Sequence, residues 1–388
     1  MSNSFKEVIS FIRTIYGKEY IPLHRPVFEG NERQYLIDCV DSNFVSTVGS
    51  QVDEFEKQIA KFVGSTYAVA VVNGTAALQI ALQLAGVRQG DEVITQSVSF
   101  IAICNAISYS GAKPVFVDVD LDTMGMSPDA LDSFLRQNST LRDGHAYNKT
   151  TGKRFAACCP MHTFGTPCRV REIVEVCDQF GIPVVEDAAE SLGSYLSDRH
   201  VGTFGKLAAV SFNGNKVITT GGGGMILTND EKLAHHAKHL TTTAKVAHPY
   251  QFIHDEIGYN FRLPNLNACL GIAQMEKLEK ILRIKTEIQS LYADFFNNKK
   301  WEFFSAPEGR TSNYWLNVVL MGSADERDAF LEYSNGQGVM TRPLWGLLSG
   351  QAMFRDCQCD ALVNSKWLEE RVVNLPSSVP QEQFFKLA

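Results

Sequence analysis

Short apolar runs recur between residues 65 and 230: YAVAVV (67–72), DEVITQ (91–96), KPVFVDV (113–119), RFAACCP (154–160), IPVVED (182–187), LAAVSF (207–212) and GMILTN (224–229). Most are continuously apolar rather than alternating, as strands are when crossover helices bury both of their faces. Helical patterns fall between them, from Thr75 onward, from Ile101 to Tyr109 and from Arg169 to Phe180. The alternation predicts a largely parallel α/β sheet, with functional loops at the C-terminal ends of its strands.

The flanks read differently. Phe5, Val8, Ile9, Ile12, Ile15 and Tyr16 form a stripe at helical spacing. Polar and charged residues interrupt it, so it is neither a signal segment nor a membrane span, and a docking helix over residues 1–20 is expected. A long helix is expected from Pro264 to Asn297. A strand-like NYWLNVVLM (313–321) and a helix over Asp325 to Tyr333 follow. A chain of 388 residues exceeds one comfortable core. The expected division is a large domain over 21–285 and a smaller C-terminal α/β domain over 286–388.

Composition removes several function classes. A net charge of −7 gives no basic footprint for nucleic acid. None of the nine cysteines lies in a CxxC pair, and Cys357-Gln358-Cys359 is too isolated for a metal site. Buried free thiols in a reducing cytoplasm are expected, with no bound metal and no membrane partner.

Three segments at strand ends carry candidate chemistry. In NGTAAL (73–78) a strand gives way to a helix, whose first N–H groups and the Thr75 hydroxyl suit an anion; an ordinary cap by Thr75 or Asn73 is the alternative. In VVEDAAES (184–191), Asp187 ends a buried strand, where it suits either a protonated ring nitrogen or a helix cap. In SFNGNKVITTGGGGMI (211–226), Lys216 follows Ser211 by five residues and precedes four glycines; it is either a solvated surface lysine or an amine in a tight pocket. Those glycines precede a strand rather than open a helix, so they are not a dinucleotide fingerprint. A phosphate cradle, a carboxylate and an amine together are the parts that pyridoxal phosphate requires.

These segments, with SVSFIAICNAISYSGAKPVFVDVD (97–120), HTFGTP (162–167) and GYNFRLPNLNACLGIAQ (258–274), resemble the DegT/DnrJ-type sugar aminotransferases. That family has the aspartate-aminotransferase-like (fold type I) architecture of pyridoxal phosphate enzymes. The resemblance covers most of residues 20 to 290, with the pieces in the family's order. It implies that Lys216 bonds the cofactor covalently and later moves the proton, and that Asp187 holds the pyridine nitrogen. It further implies that Phe100 stacks on the ring, that Gly74, Thr75, Ala76 and Ser211 bind phosphate, and that Glu190 meets the phenolic oxygen. Asn260 is similar to a residue that reaches the neighbouring subunit's phosphate, which implies a homodimer with shared sites. His162, Arg262 and Trp345 are substrate-side candidates, with core packing as the alternative for Trp345.

The segments IPLHRPVFEGNE, NYWLN and TRPLWG look closest to enzymes that aminate UDP-4-keto-6-deoxy-N-acetylhexosamines, with L-glutamate as donor. The alternatives are a GDP- or dTDP-linked 3- or 4-keto sugar, or a non-catalytic regulator that retains the fold. A sugar dehydratase of the same cofactor class is disfavoured, because those relatives carry histidine in place of Lys216.

Overall fold

The computed structural model describes residues 2–46 and 49–380. Residues 381–388 of the expected C-terminal domain lie outside this range. Three helices precede the first strand: α1 (Ser2–Tyr16), α2 (Glu32–Asp41) and α3 (Ser50–Val63). The strands expected from the apolar runs follow as β1 (Tyr67–Val71), β2 (Glu92–Gln96), β3 (Lys113–Val117), β4 (Phe155–Cys159), β5 (Val185–Asp187), β6 (Leu207–Ser211) and β7 (Gly224–Thr228).

Two ladders, β3-β2-β4 and β5-β6-β7-β1, make up the sheet. Parallel bridges at Cys158↔Val184 and Met161↔Asp187 join them between β4 and β5. All pairings are parallel except those of β7, which runs antiparallel to both β1 and β6. No crossover helix separates β6 from β7. The intervening glycine-rich loop turns the chain straight back, so β7 enters in the opposite sense.

Helices α4 (Gly74–Ala85), α5 (Ala102–Tyr109), α6 (Pro128–Asn138) and α7 (Val170–Gln179) connect the strands, and α8 (Glu231–Thr241) follows β7. Their ends are chemically marked. Asn73 caps α4 by accepting from Ala76 N–H at 2.8 Å, and Gly86 at φ +105° ends it.

The expected helix from Pro264 to Asn297 is two helices, α9 (Asn265–Met275) and α10 (Leu278–Phe296). Between them Glu276 accepts from Asn31 Nδ2 at 2.8 Å and from the Tyr35 hydroxyl at 2.5 Å. These tertiary bonds fix a break that no glycine or proline announces. The expected domain boundary after residue 285 falls inside α10.

Beyond α10 a four-stranded sheet has the order β8-β9-β11-β10, from β8 (Glu302–Phe303), β9 (Asn317–Leu320), β10 (Arg342–Pro343) and β11 (Val372–Leu375). Helix α11 (Ala324–Gly336) lies between β9 and β10 in the chain. The strand expected at 313–321 starts only at Asn317. Before it, Ser312 Oγ accepts from Tyr314 N–H at 3.0 Å, and Asn313 Oδ1 accepts from Trp315 N–H at 2.8 Å. Local side-chain bonds of this kind replace the ladder.

The N-terminal stripe packs as expected of a docking helix. Phe5, Val8, Ile9, Ile12 and Ile15 are buried. Phe5 stacks on Trp301 with ring centroids 5.6 Å apart and meets Phe330 edge-on at 5.3 Å. Phe11 stacks on Phe295 at 4.1 Å. All nine cysteines are free and seven are buried. No described helix is long and apolar enough to cross a membrane.

Phe5→Ala removes a buried ring and should destabilise the protein by roughly 3 kcal/mol. Urea titration followed by circular dichroism measures this. A loss below about 1 kcal/mol would show that α1 contributes little to the core.

Candidate active site

The expected strand-end residues converge where β5, β6 and the start of α4 meet. Asp187 ends β5 and is buried, and Glu190 follows in the next turn, also buried. Ser211 ends β6, and Lys216 lies in the loop from 212 to 223. The Lys216 Nζ stands 3.3 Å from Glu190 Oε1 and 4.1 Å from the centre of the Trp315 ring. Lys216 is thus an amine in a walled pocket and not a solvated surface lysine.

Close packing explains the glycines. A Cβ on Gly74 would stand 2.9 Å from the Ser211 Cβ, and one on Gly224 would stand 2.5 Å from the Asn73 carbonyl. Gly221 has φ +79°, a conformation L side chains rarely adopt. The glycines therefore let β6, β7 and the first turn of α4 approach with no side chain between them. The Ser211 hydroxyl lies against that turn as a result. The first N–H groups of a helix have no intrahelical acceptor. At α4 the Ala76 N–H is taken by Asn73, whereas Gly74 and Thr75 N–H have no acceptor among the described residues. The cap reading holds for Asn73, and it occupies the Ala76 N–H, so the anion reading is left to the Gly74 and Thr75 N–H groups.

Three carboxylates crowd the end of β5. Glu186 accepts from His162 Nε2 (3.0 Å), Gly202 N–H (2.7 Å), Phe204 N–H (2.7 Å) and Gly205 N–H (2.6 Å). Burial opposes its charge, yet the His162 contact and these bonds hold its pKa below the ordinary value. Asp187 accepts only from Ala189 N–H at 3.1 Å among the described residues, and burial raises its pKa. Glu190 accepts from Phe164 N–H at 3.0 Å as well as from Lys216.

Aromatic rings line the other side. Phe100 is 51% exposed, its ring 6.3 Å from Trp345, which in turn lies 4.9 Å from Phe164. An exposed phenyl ring at the rim of a polar pocket suits a flat ligand. Trp345 is half-buried, so it packs and lines the pocket at once.

Two substrate-side expectations change. His162 is fully buried: Cys168 N–H donates to its Nδ1 at 3.2 Å, so Nε2 carries the proton given to Glu186. It braces the carboxylate beside Asp187 and has no surface for a substrate. Arg262 lines a different cavity, of about 970 Å³, with Phe44, Asp53 and Lys238. Asn260 is exposed, bridged through its backbone to Thr242. Within one chain neither residue joins the Lys216 cluster.

The residues fit pyridoxal phosphate. Free N–H groups and a hydroxyl suit the phosphate, an under-bonded buried carboxylate suits a protonated ring nitrogen, and an adjacent amine suits the aldehyde. The sequence pattern of the DegT/DnrJ/EryC1/StrS aminotransferase family matches residues 26–382.

The chain belongs to that family.

This aminotransferase is 35% identical over 367 residues to the GDP-perosamine synthase of Escherichia coli O157:H7, covering 94% of the chain and 96% of the relative. It is 37% identical over 336 residues to the putative pyridoxal phosphate-dependent aminotransferase EpsN of Bacillus subtilis, covering 86% and 84%. Among solved structures, the aminotransferase TlmJ from Streptoalloteichus hindustanus superposes with a TM-score of 0.83 at 27% identity, covering 92% of this chain and 93% of that one. The chain is a pyridoxal phosphate-dependent enzyme with the fold type I architecture.

Sequence reasoning did not single out Trp315 and Asn313, which the structure places against Lys216 and Glu190. Trp315 Nε1–H donates to Asn215 O at 2.6 Å, next to Lys216, and Asn313 Nδ2 donates to Glu190 O at 2.8 Å. Their strand-like setting hid them; the clustered polar residues TSN just before Trp315 were the available turn signal.

Burial pushes the Glu190 pKa up to about 7 from 4.5, with Lys216 opposing and Asp187 adding to the shift. The folded apoprotein then keeps a proton that the unfolded chain releases. This contribution to stability is full below about pH 4.5 and is lost as pH rises towards 7. Glu190→Gln removes it, so the variant apoprotein should gain on the wild type across that window in urea titrations. A constant difference would show that Glu190 does not titrate there.

Proposed function

We propose that the protein transfers the amino group of L-glutamate to C4 of a UDP-linked 4-keto-6-deoxy-N-acetylhexosamine, with Lys216 as the covalent and proton-moving residue. The observation that carries the amino-transfer part of the reading is the Lys216 amine, held beside Glu190 and against Trp315, close to a buried Asp187 with a single hydrogen bond among the described residues; the UDP-linked sugar rests on the segments IPLHRPVFEGNE, NYWLN and TRPLWG. When bound, pyridoxal phosphate supplies the electron sink that makes the donor's α proton acidic. Lys216 removes that proton and, in the second half of the reaction, returns one to the sugar carbon. Glu190 accepts an N–H of Lys216 and keeps the amine aimed into the pocket. Asp187 would hold the ring nitrogen's proton, Gly74, Thr75 and Ser211 would hold the phosphate, and Phe100 would cover the ring.

A homodimer completes the site in this reading. Tyr250, Phe252 and Ile257 are 80%, 82% and 85% exposed on the segment leading to Asn260. Exposed apolar side chains grouped in this way suit burial against a second copy. Asn260 would then meet the partner's cofactor phosphate, and Arg262 nearby would meet a diphosphate through its guanidinium fork.

A GDP-linked keto sugar is a second reading, favoured by the similarity to the GDP-perosamine synthase of Escherichia coli O157:H7. Purified enzyme with glutamate should be offered UDP-, GDP- and dTDP-linked 4-keto sugars and a 3-keto isomer, and the new amine located by NMR. Preference for the UDP-linked 4-keto sugar is expected. A GDP preference selects the second reading, and amination at C3 overturns both.

Lys216→Ala should abolish turnover while leaving phosphate-mediated cofactor binding. Asp187→Asn should lose at least about a hundredfold in kcat, or roughly 2.7 kcal/mol of barrier. An Asp187→Asn enzyme within a fewfold of wild type would reduce Asp187 to a structural cap.

A further inference from the structure

Lys285 is the most deeply buried lysine among the described residues, 1% exposed on the inner face of α10. Among the described residues no carboxylate pairs with it. Its Nζ donates to Ser377 O at 2.6 Å, to His24 Nε2 at 3.1 Å and to Trp315 O at 3.3 Å. Burial alone lowers its pKa to about 7. A buried, unpaired amine is costly, and an apolar side chain of similar volume usually packs such a position better. Helix packing by itself does not explain the residue.

The acceptors indicate what it does. They come from three separate segments: the stretch after α1, the turn before β9 and the stretch after β11. Trp315 touches both this amine and the loop that carries Lys216, through its carbonyl and its indole respectively. Its Nε1–H binds Asn215 O at 2.6 Å, and its face stands 4.1 Å from Lys216 Nζ. The backbone N–H of Trp315 donates to Asn313 Oδ1, and Asn313 Nδ2 donates to the Glu190 carbonyl. Trp315 is therefore fixed at its N–H by Asn313 and at its carbonyl by Lys285, and from that position it holds the backbone before Lys216 and covers the amine.

We infer that Lys285 is a positioning residue for Lys216, acting through Trp315. The inference rests on the proposed role of Lys216. Without Lys285 the Trp315 carbonyl loses a donor and the indole is free to shift. The Asn215–Lys216 backbone then loosens, and the amine no longer meets Glu190 and the cofactor at a fixed height. Displacement of a reacting group by about 1 Å can cost as much as a hundredfold in rate. Lys285 itself touches neither cofactor nor substrate.

The test is a double-mutant cycle with Lys285→Met, Trp315→Phe and the double variant, with Lys216→Ala as reference. Phenylalanine keeps a ring over Lys216 but loses the bond to Asn215. Thermal melting first establishes that each variant folds; if Lys285→Met does not, Lys285→Gln takes its place. Two quantities are then measured: the rate of capture, meaning covalent bonding of added pyridoxal phosphate to the apoprotein, read by the absorbance change that bonding produces, and kcat against KM for glutamate. Capture needs no sugar, so it reads the placement of Lys216 independently of turnover.

Lys285→Met should slow capture and lower kcat by about tenfold, with KM changed less. The double variant should be no slower than Trp315→Phe alone to within about twofold, because both changes break one chain of contacts. Wild-type capture and kcat in Lys285→Met, with only a lower melting temperature, would overturn the inference. Fully additive losses in the double variant would do the same. Capture at the wild-type rate by Lys216→Ala would instead overturn the proposed function, and the role of Lys285 with it.

Discussion

Burying three carboxylates within five residues of one strand end constrains everything around the site. Glu186, Asp187 and Glu190 are all at most 3% exposed, and an ionised carboxylate without donors is not tolerated in such a place. The fold answers unevenly. Glu186 receives three backbone N–H groups and an imidazole, so it is fully compensated and structural. Glu190 receives one N–H and the Lys216 amine, and its pKa rises towards neutrality. Asp187, between them, receives a single N–H. The acceptor capacity left on Asp187 is what the proposed contact with a protonated ring nitrogen would use, and the unevenness is what singles it out among the three.

Much of this was legible in the sequence because it follows the strands. Seven apolar runs became seven strands, and Asp187, Ser211 and the start of α4 sit where those strands end. Lys216 was legible through its spacing from Ser211 and the glycines behind it. Trp315 was not, because NYWLNVVLM reads as a strand throughout, and the bonds that turn its first residues away from the sheet come from Ser312 and Asn313 side chains. Lys285 reads as one more polar position on a long amphipathic helix, and nothing local reports that three distant segments bring their acceptors to it. His162 was misread for a related reason. Its neighbours in the chain suggest a site residue, while its partner Glu186 is brought to it by the pairing of its segment with β5, through the Met161↔Asp187 bridge.

The same division separates the parts of the site by origin. The phosphate cradle and the carboxylates belong to the central sheet, where strand register fixes them rigidly. The covering of the amine belongs to the chain's two ends: His24 follows α1, Trp315 precedes β9, and Ser377 follows β11. These segments meet through tertiary packing, by direct bonds such as Ser377 N–H to Leu23 O at 2.8 Å and by their shared contact with one buried amine. Apolar packing is non-directional and tolerates sliding, whereas hydrogen bonds weaken steeply with misalignment. An amine that must both bond a cofactor and move a proton needs the directional kind of support. The cost of desolvating Lys285 is thus best understood as the cost of keeping Trp315, and the backbone before Lys216, in one place.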